Sequence, residues 1–308
     1  MQRYITYNLT RLKQIVSPDV NIIPLPESVT FNMDVPIKMR DGKTLYANIF
    51  LPTNLTPESP KLPVIMSAHP YSKDAFSKRG LIINHYDLHY RALRMPSTVT
   101  FSEFTSWEAP DPAYWVPHGY AVINLDLRGF HKSKEAATLA HPVMFSDQEA
   151  QDYYDAIEWA AEQEWCNGKV GLLGVSYLAI SQYKVAALRP PHLCAICPWE
   201  GFTDMYRDTA RPGGIAETQF FKAWFTQLKS FMSEDLPLEI LANETRNSEF
   251  YLGKTCDLKR IDVPALVVMS YSDQGLHTQG SMRAFRKIGS KVKYFKYLLN
   301  EGLIDGNT

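Results

Sequence analysis

Ser176 sits in the stretch KVGLLGVSYLAISQY, between an apolar run with strand character and a run with helix character. A hydroxyl there can serve as a nucleophile, given a base to take its proton and a backbone that holds it clear of its surroundings. A sharp turn from a buried strand into a helix meets the second need, with small residues where strand and helix approach, in the pattern G-x-S-x-G. Here Gly174 stands two before Ser176, Leu178 stands two after, and the second small residue is Ala179. The same position also suits a plain N-cap, whose oxygen only accepts a backbone N–H. Two other groups bear on chemistry. His85 and His89 have i, i+4 spacing but lack the intervening glutamate of a zinc protease. Cys194 and Cys197 have C-x-x-C spacing inside HLCAICPW, which reads as a buried strand with free thiols, since no second pair or helix N-terminus accompanies them. No metal or organic cofactor is expected.

The elements that must position Ser176 follow from hydrophobic periodicity. From Thr30 to Leu51 apolar and polar residues alternate on both sides of Asp41-Gly42, which predicts an antiparallel hairpin. LPVIMSAHPY and GYAVINLDLRGF are short continuous apolar runs of the kind buried on both faces of a parallel sheet. SDQEAQDYYDAIEWAAEQEW predicts a helix, with a capping box at Ser146 and Glu149 and with Tyr153, Ala156, Ile157, Ala160 and Ala161 on one face. It leads into KVGLLGV, so strand, helix and strand form a parallel crossover. Between about Glu200 and Arg260 the pattern is helical and aromatic, with no buried strand. Strand character returns at DVPALVVMSYSD, followed by a helix over TQGSMRAFRKIGS and a last strand-like run, KVKYFKYLL.

The expected organisation is therefore an N-terminal arm over 1–30, an α/β core over 31–199 and 262–299, a helical cap over 200–261 and a tail over 300–308. With 308 residues, 45% of them hydrophobic, the chain can bury a large core. The formal net charge of -1 comes from 32 basic and 33 acidic residues mixed along the chain, so no nucleic-acid or anionic-membrane partner is expected. No apolar run approaches the roughly 18 to 20 residues that span a bilayer. The N-terminus is basic but lacks an apolar leader core, and reads either as a mitochondrial presequence or as a surface arm. Few cysteines and no secretory leader favour a reducing, cytoplasmic location.

GVSYLA, with DLRGF upstream, IEWAAEQEWCNGKVGLLG between, SAHPYSKD nearer the start and MRDGKTLYANIFLP before it, resembles the cocaine esterase and X-Pro dipeptidyl peptidase-like acyl hydrolases. The resemblance runs from about Asp34 to Lys293. It implies an α/β-hydrolase fold with a mostly parallel central sheet, an N-terminal antiparallel hairpin and a helical cap insertion. By the same resemblance, Ser176 is the nucleophile, and Asp273, at the end of its strand, is the triad acid rather than only a cap of the turn it begins. The backbone N–H of Tyr177 and the phenol of Tyr71 would form the oxyanion hole. Trp199, Phe220 and Trp224 would line the substrate pocket. Glu200, Asp204 and Asp208, spaced by four, would share one helical face that either meets solvent or receives a substrate's α-amino group. The expected partner is a small ester, an amide or a short peptide, with self-association possible.

The triad base is the difficulty. The resemblance places a histidine on the loop beyond the last strand, and NEGLIDGNT contains none. Only His277 follows Asp273, at the start of the next predicted helix, where a loop histidine is not expected. The family's C-terminal β-sandwich is also absent. Three explanations stand: a truncated hydrolase crippled by loss of its base, a non-catalytic descendant that binds or regulates, or rescue by a histidine such as His277. An uncovered apolar sheet face would lower solubility.

Overall fold

The computed structural model describes residues 20–76, 99–137, 144–228, 235–271 and 273–298; the N-terminal segment over 1–19, His85, His89 and the tail over 300–308 lie outside the described residues. The hairpin forms as its alternation predicts. Strands β2 (Val29–Lys38) and β3 (Thr44–Pro52) pair antiparallel across a turn in which Gly42 takes φ +84°. They edge an eight-stranded sheet that continues with β6 (Ala121–Asp126), β4 (Leu62–His69), β7 (Cys166–Val175), β8 (Leu193–Trp199), β9 (Ala265–Ser270) and β10 (Lys293–Leu298). From β6 to β10 every pairing is parallel. A second sheet, of two short parallel strands, joins β1 (Val20–Ile23) to β5 (Val99–Ser102).

Chain order reverses beside β4, with β6 on one side and β7 on the other. Crevices at such a switch point, beyond the carboxyl ends of the strands, are where open α/β sheets bind ligands. Both Tyr71 and Ser176 follow directly from strands that flank it.

After the four-residue helix α1 (Pro112–Trp115), the first long helix is α2 (Asp147–Ala161). It is capped by Ser146 Oγ, which accepts the Glu149 N–H at 3.2 Å, and Glu149 reaches back to the N–H of Phe145 rather than to that of Ser146. Tyr153, Ala156, Ile157 and Ala160 are fully buried against the sheet, the face that the period of 3.6 selects. Helix α3 (Tyr177–Ala186) packs beside α2, and almost all of its side chains are buried. Among the described residues from 200 to 260 there is no strand; there are short helical turns at Tyr206–Ala210, Pro212–Gly214 and Leu258–Arg260 and the helices α4 (Phe220–Leu228), α5 (Leu236–Ala242) and α6 (Glu249–Leu252). Helix α7 (Thr278–Lys287) connects β9 to β10.

HLCAICPW does form a strand, but not one buried on both faces. Cys194 is exposed and Cys197 half-buried, because this side of the sheet opens into a concavity of about 730 Å³ lined in part by Ile65, Trp115, Leu173, Trp199, Leu266 and Tyr294. None of the four cysteines is in a disulfide. Burial pushes the Cys197 thiol up to about 12 and raises that of Cys194, the opposite of what a reactive thiolate needs.

Candidate active site

At the end of β7 the chain turns sharply. Ser176 adopts φ +56° and ψ -114°, a left-handed conformation that non-glycine residues rarely take. The turn is held from both sides: Ser176 N–H donates to the Trp199 carbonyl at 2.9 Å and Val175 N–H donates to that of Glu108 at 3.1 Å. A Cβ on Gly174 would lie 2.5 Å from Leu178 Cβ, so glycine is required where strand and helix approach. The second close approach falls one place after the usual pattern. A Cβ added to Gly201 would lie 3.1 Å from Ala179 Cβ, so helix and loop approach closely at 179.

Ser176 stands at the N-cap position of α3, but its side chain accepts no helical N–H. Its Oγ lies instead 3.2 Å from Nε2 of His277, and Nδ1 of that ring is hydrogen-bonded to Asp273 Oδ2. Of the three explanations the sequence leaves open, this contact is the one that a base at His277 requires. The physical reason is local. Asp273 closes the turn after β9, the N–H groups of His277 and Thr278 both donate to its carbonyl, and Thr278 Oγ1 bonds back to the Ser270 carbonyl at 2.7 Å. Acid and base stand one helical turn apart, with His277 just ahead of α7, so both remain at the sheet edge that carries Ser176. With the carboxylate on Nδ1, the neutral ring holds its proton there and offers the Nε2 lone pair to the hydroxyl.

Tyr177 is the first residue of α3, where backbone N–H groups have no intrahelical acceptor. Its side chain is fully buried; the phenol donates to Glu149 Oε2 at 2.6 Å and the ring stacks on Phe145. Burial pushes the Glu149 carboxyl up to about 7, against the lowering effect of that hydrogen bond. Tyr71 follows β4 and lies edge-on to Tyr177, with ring centroids 6.5 Å apart. Its phenolic oxygen accepts the indole N–H of Trp224, on α4, at 3.3 Å. Phe220 stacks on Trp224 and is 40% exposed. Trp199 is placed differently: its carbonyl supports Ser176, but its indole lines the sheet-face concavity.

The expected acidic face does not form. Glu200 has φ +57°, which no helix accommodates, and helical structure begins only near Met205. Asp204 pairs with Arg246 at 2.9 Å, while Asp208 accepts the N–H groups of Thr203 and Asp204 and pairs with Arg283. These two carboxylates build the loop. Glu200 turns instead toward the triad: one of its carboxylate oxygens, one of Asp273 and a ring nitrogen of His277 all lie within 4.8 Å of one another. Glu108 stands near them, its carboxyl held well above the usual range by burial, then by Glu200 and Asp273. The i, i+4 spacing of Asp273 and His277 was the available signal for the base. No local pattern marks Glu108.

Comparison with known proteins places the chain among hydrolases of this fold. The profile of the X-Pro dipeptidyl-peptidase (S15) family matches residues 41–254. The cocaine esterase of Rhodococcus sp. (strain MB1 Bresler) is 32% identical over 199 residues, covering 64% of this chain and 28% of that protein. A crystal structure of SACOL2612, a CocE/NonD family hydrolase from Staphylococcus aureus, superposes with a TM-score of 0.77 at 37% identity, covering 91% of this chain and 47% of that one. An α-amino acid ester hydrolase, at 18% identity and a TM-score of 0.59, shares the fold; the match covers 84% of this chain and 45% of that one. The chain thus spans little more than a quarter of the curated relative and about half of the solved ones.

Proposed function

Since the chain belongs to the X-Pro dipeptidyl-peptidase (S15) family, we propose that it is a serine hydrolase cleaving an ester or amide acyl bond through an acyl-enzyme on Ser176, with His277 as general base and Asp273 as its acid partner. The observation that carries this reading is the continuous path from Ser176 Oγ to His277 Nε2, at 3.2 Å, and from His277 Nδ1 to Asp273. His277 takes the Oγ proton as Oγ attacks the substrate carbonyl, and Asp273 stabilises the imidazolium that results. The oxyanion would be met by the Tyr177 N–H and the Tyr71 O–H. Such donors are worth about 3 to 4 kcal/mol each where charge develops. Collapse breaks the bond to the leaving group, which takes its proton from His277, and water activated by the same ring then releases the acyl group.

Small esters, amides or short peptides are the substrate class, and the aromatic edge formed by Phe220 and Trp224 is the side from which the acyl group would enter. Labelling with a fluorophosphonate tests the reading. Native chain labels at Ser176; Ser176→Ala does not, and His277→Gln labels at least about 10³-fold more slowly, as expected when a triad base is lost. A chain that labels equally well without His277, or not at all, has no working triad.

A further inference from the structure

Three non-glycine residues with left-handed backbone meet at this sheet edge: Ser176 (φ +56°), Glu108 (φ +64°) and Glu200 (φ +57°). Conformations of this kind persist only where the surroundings over-determine them, and they cluster at functional sites. Glu200 is determined on both flanks. Its own N–H donates to the Val268 carbonyl at 2.9 Å, and the carbonyl of the preceding Trp199 accepts the N–H of Ser176 at 2.9 Å. The residue is only 7% exposed, and its carboxylate lies within 4.8 Å of both the Asp273 carboxylate and a ring nitrogen of His277. A short left-handed step after β8 therefore turns a glutamate inward at the triad, where a helical continuation would have carried it away.

We propose that Glu200 is a positioning residue of the triad, a second carboxylate facing His277 that shares with Asp273 the stabilisation of the imidazolium formed when Ser176 attacks. This rests on the reading of His277 as the base. An opposite charge within about 4 to 6 Å favours the charged form of a titrating group by an amount readily seen in a pH profile. The acidic groups beside the ring are Asp273 on its own turn and Glu200 from the end of β8, with Glu108, from the loop ahead of α1, near both of these acids. Burial and the other two acids keep Glu108 toward its neutral form, so it does not add a third full charge. Asp204 and Asp208 are held by arginines and contribute no free charge here.

The test is hydrolysis of a neutral ester, p-nitrophenyl acetate, by the 308-residue chain between pH 5 and 9. A neutral substrate has no ammonium for a carboxylate to bind. Glu200→Gln is expected to lower kcat about 10-fold with KM little changed, and to move the midpoint of the rise in kcat/KM about one unit toward lower pH. Glu200→Asp keeps the charge and is expected to restore that midpoint, which a merely structural role would not do. In the Asp273→Asn background the loss on removing Glu200 becomes larger, because each acid covers in part for the other. Native kcat and an unmoved midpoint in Glu200→Gln overturn the proposal, as does an effect confined to KM for substrates with a free amine. If Glu200→Gln does not fold, an Asp273→Asn single variant with native activity supports a second acid, and one as inactive as His277→Gln overturns it. A His277→Gln variant with native turnover would sink the triad itself, a different failure from either of these.

Discussion

In the proposed mechanism the proton on Ser176 Oγ leaves to His277, which Asp273 supports, and the oxyanion meets a pair of tyrosines. Tyr71 is the more informative of the two. An indole N–H can only donate, so in the Trp224–Tyr71 contact the phenol accepts and its own proton is not used in that bond. If Tyr71 is an oxyanion donor as proposed, that arrangement would steer and polarise its hydroxyl. Tyr71→Phe is expected to lower kcat by about 10² to 10³, the usual loss for one oxyanion donor. Trp224→Phe keeps the aromatic bulk and removes only the donor, so its cost is expected to be about 10-fold or less. In the Tyr71→Phe background Trp224→Phe should cost nothing further, since the bond it would remove is already gone. Additive losses in this double-mutant cycle would show that Trp224 acts through packing or substrate contact instead.

At the scale of elements, the proposed triad depends on where α7 sits, because the turn that begins it carries both Asp273 and His277. Gly280 sets that position. A Cβ there would lie 2.3 Å from Phe202 Cα, 2.8 Å from Asp208 Oδ2 and 2.8 Å from the Gly201 carbonyl, and backbone cannot yield as a flexible side chain can. Gly280→Ala therefore forces α7 outward. We expect a stability loss of about 1 to 3 kcal/mol, typical of overpacking, and a Tm lowered by several degrees. Turnover should fall with it, because displacing α7 lengthens the 3.2 Å contact between Ser176 and His277. A Gly280→Ala chain with native Tm and kcat would mean that the helix has room the structure does not show. Gly289 plays the matching part at the other end of α7, where a Cβ would meet the Lys259 carbonyl at 2.1 Å. Both ends of the helix are thus fixed by glycine.

For the whole molecule, buried titratable groups make stability depend on pH in two opposing ways. His69 is fully buried, and desolvation lowers its pKa to about 3, so between about 3 and 6.5 the unfolded chain holds a proton that the native one does not. Rising pH through that window stabilises the fold. Glu149 behaves oppositely: burial raises its pKa to about 7, so the native chain holds a proton that the unfolded chain loses near 4.5. Its contribution is full at low pH and fades as pH rises toward 7. Glu149→Gln removes this fading while leaving an acceptor for the Tyr177 phenol. Relative to the native chain, the variant should gain on the order of 2 kcal/mol in denaturant-derived stability from pH 5 to pH 7.5. A constant difference across that range would place the Glu149 titration outside it.

The sequence by itself determined the parts of this protein that depend on neighbours along the chain. Alternation about Asp41-Gly42 predicted the hairpin, continuous apolar runs the parallel strands, the capping box and its period the buried face of α2, and Gly174 with Ser176 the turn at the nucleophile. Only the tertiary structure decided the rest. Whether a histidine meets Ser176 depended on where β9 ends relative to β7, which no spacing between residues 176 and 277 records. Reading Glu200, Asp204 and Asp208 as one helical face failed because a single left-handed residue at 200 breaks the period, sending one acid to the triad and two to arginines. Cys194, in a strand expected to be buried on both sides, is exposed because burial of a strand's second face depends on what other segments cover it. Periodicity is a property of consecutive residues, whereas a catalytic site is a property of strand ends, and the sheet brings those together only when it forms.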